Sequence, residues 1–144
     1  MTRNRWEHFE HGADIGVRGV GDTLEAAFEQ AALALTAVVA ELETVREAAG
    51  DAGRVDVECA APDAALLLAD WLNALIGEMS ARGMLFRRYS VRIAGQTLRG
   101  QAWGEPVERA HHRPAVEVKA ATYTELAVRR EPDGQWVAQC VVDV

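Results

Sequence analysis

The chain has 144 residues, 49% of them hydrophobic and 26% charged, with a formal net charge of −7. That length suits one domain spanning residues 1–144 with a core of its own, and the charge disfavours a protein whose main work is gripping phosphate backbones by bulk electrostatics. A protein partner or a cation-binding site fits the charge better, and the lack of any run of about 18 apolar residues speaks against a membrane span.

In chain order, the opening MTRNRWEHFE has no apolar stretch, so no secretory signal is expected. HFEHGADIG, residues 8–16, reads as a glycine-flanked turn between two strands. GVRGVG, residues 16–21, superficially suggests a phosphate loop, but it lacks the G-K-[ST] ending and any dinucleotide spacing, so its glycines read as a tight turn. Asp22, as N-cap, and Glu25 form a variant capping box. Leu24, Ala27, Phe28, Ala31, Leu35, Val38 and Leu42 then follow helical spacing.

REAAGDAG, residues 46–53, is the one linker-like stretch, and RVDVECA after it alternates as a strand. APDAALLLADWLNALIGEM predicts a second, more buried helix. Pro62 and Asp63 suit its start, and Gly83 suits its stop. Four strands are expected after it: LFRRYSVRIAG, TLRGQAWGE across a turn at Gly95–Gln96, the long AVEVKAATYTELAVRRE with a bulge near Ala120–Ala121, and QWVAQCVVDV after the PDG turn. The pattern predicts α+β, two layers, with two helices packed on one side of a mostly antiparallel sheet. Cys59 and Cys140 fall in strands without a C-x-x-C pattern, and are expected to be free thiols in a reducing, cytoplasmic setting.

Several residues could carry chemistry. Asp143 closes a terminal strand, as either a solvated charge or a metal ligand beside the Val144 carboxylate. Asp14 either caps its turn or offers hard oxygen to calcium, magnesium or manganese. One carboxylate does not hold such an ion, whereas two from opposite ends of the chain could. His8 and His11 form an H-x-x-H pair that a strand would point to opposite faces, and His111 and His112 are adjacent, so a zinc site is not favoured. Lys119 is either an outward lysine near Glu117 or a cation for a phosphate or a partner's carboxylate. Ser80 and Ser90 have no G-x-S-x-G setting.

Taken together, HGADIGVRGVGDTLEAAFEQAALAL, LLLADWLNALI, GEPVERAHHRPAVEVKAATY and WVAQCVVDV resemble, in order and over nearly the whole chain, the archease family. The resemblance implies a non-catalytic activator of an RtcB-type RNA ligase. Such a protein promotes ligase guanylylation and multiple turnover in tRNA splicing or RNA repair, and meets RNA only through the ligase. It implies a divalent-cation site, calcium foremost with magnesium or manganese as alternatives, at Asp14, Asp143 and Val144. Lys119, His112 and His11 are implied as partner or phosphate contacts. The protein is expected to be cytoplasmic, without a membrane partner, and a monomer or small homo-oligomer. Two departures stand out: Gly12 replaces the family's threonine, and Thr124 replaces a histidine. A rival from another class is a stand-alone metal-dependent phosphohydrolase using the same carboxylates, although no clear general base stands beside them in the sequence.

Overall fold

Two short-range signals, strand alternation and turn glycines, fix most of the local structure. The computed structural model describes residues 3–47 and 52–144, so residues 48–51 of the linker-like stretch lie outside the described residues. In chain order come β1 (Arg5–His11), β2 (Asp14–Gly21), α1 (Leu24–Val39), a 3-10 turn (Leu42–Thr44), β3 (Arg54–Ala60) and α2 (Ala64–Arg82). There follow β4 (Met84–Ala94), β5 (Thr97–Pro106), the four-residue helix α3 (Arg109–His112), β6 (Ala120–Ala121), β7 (Ala127–Arg130) and β8 (Trp136–Asp143).

The α+β class and the antiparallel pairing are as expected, but the sheet is divided in two. β1, β2 and β8 lie side by side, and β6 and β7 both pair with the far edge of β8. A second sheet has the order β3-β5-β4. Both helices pack on one face of each sheet, and α1 lies between the two. Ala27 and Ala31 sit on β2, so closely that a Cβ on Gly19 would come 2.1 Å from the Ala27 carbonyl oxygen. Thr36, about 180° around the helix from Ala27, instead meets β4, with its hydroxyl 2.6 Å from the Tyr89 hydroxyl. α2 is long and apolar enough to cross a bilayer, yet Leu68, Trp71, Leu72 and Leu75 are in the core. Trp71 Nε1 donates to the Phe28 carbonyl at 3.2 Å and ties the two helices together.

Helix ends follow side-chain capping. Asp63 caps α2 through the Leu66 N–H at 2.9 Å, and Gly83 ends it at φ 61°, both as read from the sequence. At α1 the cap is Thr23, whose hydroxyl accepts from the Ala26 N–H at 3.0 Å. Asp22 does not cap, because its carboxylate faces Arg3 at 3.6 Å and its own N–H donates to Asn4.

The expected long strand through residues 115–131 is broken. Only β6 and β7 pair with β8, while residues 122–126 rise between them as a turn with Glu125 at φ 55°. The helix α3 before it was not anticipated. Cys59 and Cys140 are free thiols, as expected; burial pushes the Cys140 thiol up to about 12, which leaves it inert as a thiolate.

Candidate functional site

The β1–β2 hairpin and the C-terminal end of β8 come together in one corner of the five-stranded sheet. β2 and β8 run antiparallel with Ile15 opposite Val142, so the next rung sets Asp14, the first residue of β2, across from Asp143, the last of β8. Facing residues of an antiparallel pair share a face with Cα atoms about 4.5–5.5 Å apart. The same rung continues on both sides, since His11 is the partner of Asp14 across the β1–β2 hairpin and Ala120 is the partner of Asp143 on β6. That hairpin turns at Gly12–Ala13 with Gly12 at φ 58°, where glycine has no Cβ penalty. Its brevity keeps His11 and Asp14 opposite each other.

This corner is bonded through its backbone, not its side chains. The Lys119 N–H donates to the Asp143 carbonyl at 2.9 Å. Among the described residues the Asp14 and Asp143 carboxylates and the Lys119 ammonium have no hydrogen-bond or ion-pair partner, so Lys119 does not pair with the nearby Glu117. His11 and Lys119 are exposed, and Asp14, Asp143 and Val144 are half-buried. Carboxylates such as those of Asp14 and Asp143 are the hard-oxygen donors that calcium, magnesium and manganese take.

A second cluster lies at the far end of β5. Glu105, His111 and His112 bring three donor atoms within 4.8 Å of one another, and could hold a metal ion. Their hydrogen bonds argue for a different role. The Glu108 N–H donates to His112 Nδ1 at 2.8 Å, so that nitrogen carries a lone pair. His112 Nε2 therefore carries the proton, which it donates to Glu105 Oε2 at 2.8 Å. A neutral imidazole holding a metal on Nε2 would carry its proton on Nδ1, and there it would meet another donor. Arg46 N–H also donates to Glu105 Oε2 at 2.8 Å, and His111 Nε2 donates to the Thr44 carbonyl at 2.8 Å. Burial pushes the Glu105 carboxyl up, but the hydrogen bonds from His112 and Arg46 outweigh it and hold the carboxyl below the usual glutamate value. His112 is 3% exposed. It was expected as a partner or phosphate contact, and it is instead an internal strut between β5 and α3. The sequence reading did not single out Glu105, although it stands in the quoted G-E…H stretch seven residues from His112.

The remaining candidates are structural. His8 Nε2 lies 2.8 Å from the Ala34 carbonyl of α1, so His8 and His11 do point apart. A cleft of about 440 Å³ between the ends of α1 and α2 is lined mainly by apolar residues such as Val39, Ile76, Met79 and Val116, with no histidine, cysteine or aspartate.

Comparison with known proteins agrees with the fold. The model of the Archease protein family matches residues 6–144. The chain is 40% identical to "Protein archease" of Pyrococcus furiosus, over 97% of this chain and 99% of that protein. It is 34% identical to "Protein archease" of Sulfolobus acidocaldarius, over 97% and 99% respectively. The solution structure of Methanobacterium thermoautotrophicum protein 1598 superposes with a TM-score of 0.82 at 31% identity, covering 96% of this chain and 98% of that one.

Proposed function

The chain belongs to the archease family, and from that premise we infer that it is a non-catalytic activator of an RtcB-type RNA ligase, working in tRNA splicing or RNA repair through a divalent-cation site at one tip. The observation that supports the reading is the β2–β8 register, which ends with Ile15 opposite Val142 and leaves Asp14 and Asp143 as the next residue on each strand, neither carboxylate having a partner among the described residues. Two carboxylates from neighbouring strands are hard-oxygen donors of the kind a divalent cation takes up together.

Asp14 and Asp143 would hold the ion, with Val144 adjacent. When bound, the ion supplies positive charge of the kind that phosphoryl transfer needs near its oxygens. The rest is the work of the chain's own residues. The backbone bond from Lys119 to Asp143 holds the strand end in place. The Lys119 ammonium, exposed and without a partner among the described residues, is available to a phosphate or a partner's carboxylate, and His11 extends the row at its other side. The acidic surface, net −7, suits a basic groove on a ligase, and association through it weakens as salt rises. RNA is met through the ligase, and the setting is cytoplasmic.

The test is ligase guanylylation and turnover number with and without the purified protein, in calcium and then in magnesium or manganese. Wild type raises both. Asp14→Ala and Asp143→Ala, folded by circular dichroism, do not. A ligase that turns over equally well without the protein, or equally well with both variants, ends this reading. Nucleotide or phosphoester turnover by the protein alone would favour the phosphohydrolase instead.

A further inference from the structure

The turn at residues 122–126 carries the most exposed large apolar side chain described. Tyr123 is 69% exposed, against 36% for Trp6 and 37% for Val116. A lone exposed tyrosine needs no explanation by itself, but the turn beneath it does. The Thr122 hydroxyl donates to the Val141 carbonyl at 2.8 Å and accepts from the Thr124 N–H at 3.2 Å. Leu126 N–H donates to the Tyr123 carbonyl at 3.2 Å, and Val141 N–H donates to the Thr124 carbonyl at 3.0 Å. Gln139 Nε2 donates to the Glu125 carbonyl at 3.1 Å. Gln139 is itself buried, and its other end accepts from Arg18 Nε at 2.9 Å, so its orientation is set by β2.

All this holds Glu125 at φ 55°, a left-handed conformation that L side chains resist. The fold tolerates a local cost in order to fix a turn whose most prominent side chain points away from the core. The turn also springs from β6, whose Ala120 is on the Asp14–Asp143 rung. Three residues of chain put Tyr123 within about 10 Å of that rung.

We propose that Tyr123 is the anchor that seats this corner in the partner protein, its ring entering an apolar pocket with a polar rim. The proposal rests on the ligase-activator reading. Tyrosine is a favoured anchor of protein interfaces, offering area at little conformational entropy, and a pinned turn has already lost the freedom that docking would otherwise remove. A nucleobase is the poorer occupant, because stacking platforms pair several aromatics with a cationic groove and here one aromatic stands in a chain of net −7.

The experiment is calorimetric titration of the full chain into the ligase without RNA or GTP, alongside guanylylation measured over a range of activator concentrations. Tyr123→Ala is expected to weaken association about 30-fold, and Tyr123→Phe to remain within about threefold of wild type. At saturating concentration Tyr123→Ala should reach the wild-type guanylylation rate, with unchanged Tm and calcium affinity. Association within threefold of wild type for Tyr123→Ala overturns the proposal. So does normal association with a lowered plateau, which would make the ring a group acting on the nucleotide. If wild type itself does not bind the ligase, both the proposal and the activator reading fall. If only the Asp14 and Asp143 variants lose activation, the activator reading stands and the anchor does not.

Discussion

Two regions of this chain gather metal-capable side chains, and they are built in opposite ways. Around Glu105 and His112 the polar atoms are turned on one another: both His112 nitrogens are engaged, and Glu105 Oε2 accepts twice. Around Asp14 and Asp143 the backbone is bonded while the carboxylates and Lys119 are not, among the described residues. Donor type alone therefore does not identify a site. A donor set already satisfied inside the protein stabilises the fold, whereas an unengaged one on a fixed frame is available to a ligand. The two regions make different demands on the same residue chemistry, and substitutions separate them.

The largest expected effect is at the tip. Calcium at 100 times its dissociation constant should stabilise wild type by about 2.7 kcal/mol, a rise in Tm of roughly 5–10 °C. Asp14→Ala and Asp143→Ala should abolish that rise and shift the calcium-free Tm by no more than about 2 °C. Glu105→Gln should keep the rise. Calcium titrations followed by thermal melts check this, and the opposite pattern would invert the comparison.

Next comes His112→Ala. It leaves the Glu105 carboxylate without its charge-assisted partner and the Glu108 N–H without an acceptor. His112 itself is buried, so loss of its ring and its two hydrogen bonds is expected to cost about 2 kcal/mol, a fall in Tm on the order of 5 °C. Calcium affinity at the tip should not change. A melt of His112→Ala that matches wild type would show that the cluster is not structural.

How much of this was readable beforehand depends on the range of the interaction. The helices were legible because 3.6-residue spacing, Asp63 and Gly83 are local signals. The α1 cap was misread by one residue because Asp22 and Thr23 can both cap, and the choice falls to Arg3 and Asn4 on another segment. Strand alternation gives the face of a residue but not its neighbour strand, so the division into two sheets was not legible. The turn at residues 122–126 was hidden for a similar reason: KAATYTELAV alternates like a strand, and the buried Gln139 that helps hold the turn is on β8. Asp14 and Asp143 were raised as ligands by their residue type and favoured by the family resemblance, not by spacing, since residues so far apart in the chain leave no local pattern. His112 was expected as a partner or phosphate contact from the family resemblance, and nothing local in HHRP signals that it is buried beside Glu105.

Acid sharpens the contrast further. Burial raises the Glu105 pKa, and the His112 and Arg46 hydrogen bonds lower it by more, so the folded carboxyl releases its proton more readily than the unfolded one. Its contribution is complete above the unfolded value, about 4.3, and is lost as pH falls through the lower folded value. Wild type should therefore lose stability more steeply below about pH 4.3 than Glu105→Gln does. Urea midpoints measured between neutral pH and acid, one curve per variant, decide this. Parallel curves would mean that the carboxylate is not the group responsible.

The smallest effect tests whether the turn beside the tip is held against a local backbone cost. Glu125 sits at φ 55°, where an L residue is disfavoured by about 1–2 kcal/mol and glycine is not. Glycine also enlarges the entropy of the unfolded chain by about 0.4–1 kcal/mol. Glu125→Gly should therefore gain about 0.5 kcal/mol net, raising Tm by 1–2 °C. The carbonyl that accepts from Gln139 remains in place, so the turn keeps its bonds. A control substitution to glycine at a half-exposed position with ordinary backbone, such as Val128 on β7, should lower Tm, since there the unfolded-state cost acts alone with lost packing. If Glu125→Gly falls with it, the turn is not held against a local cost.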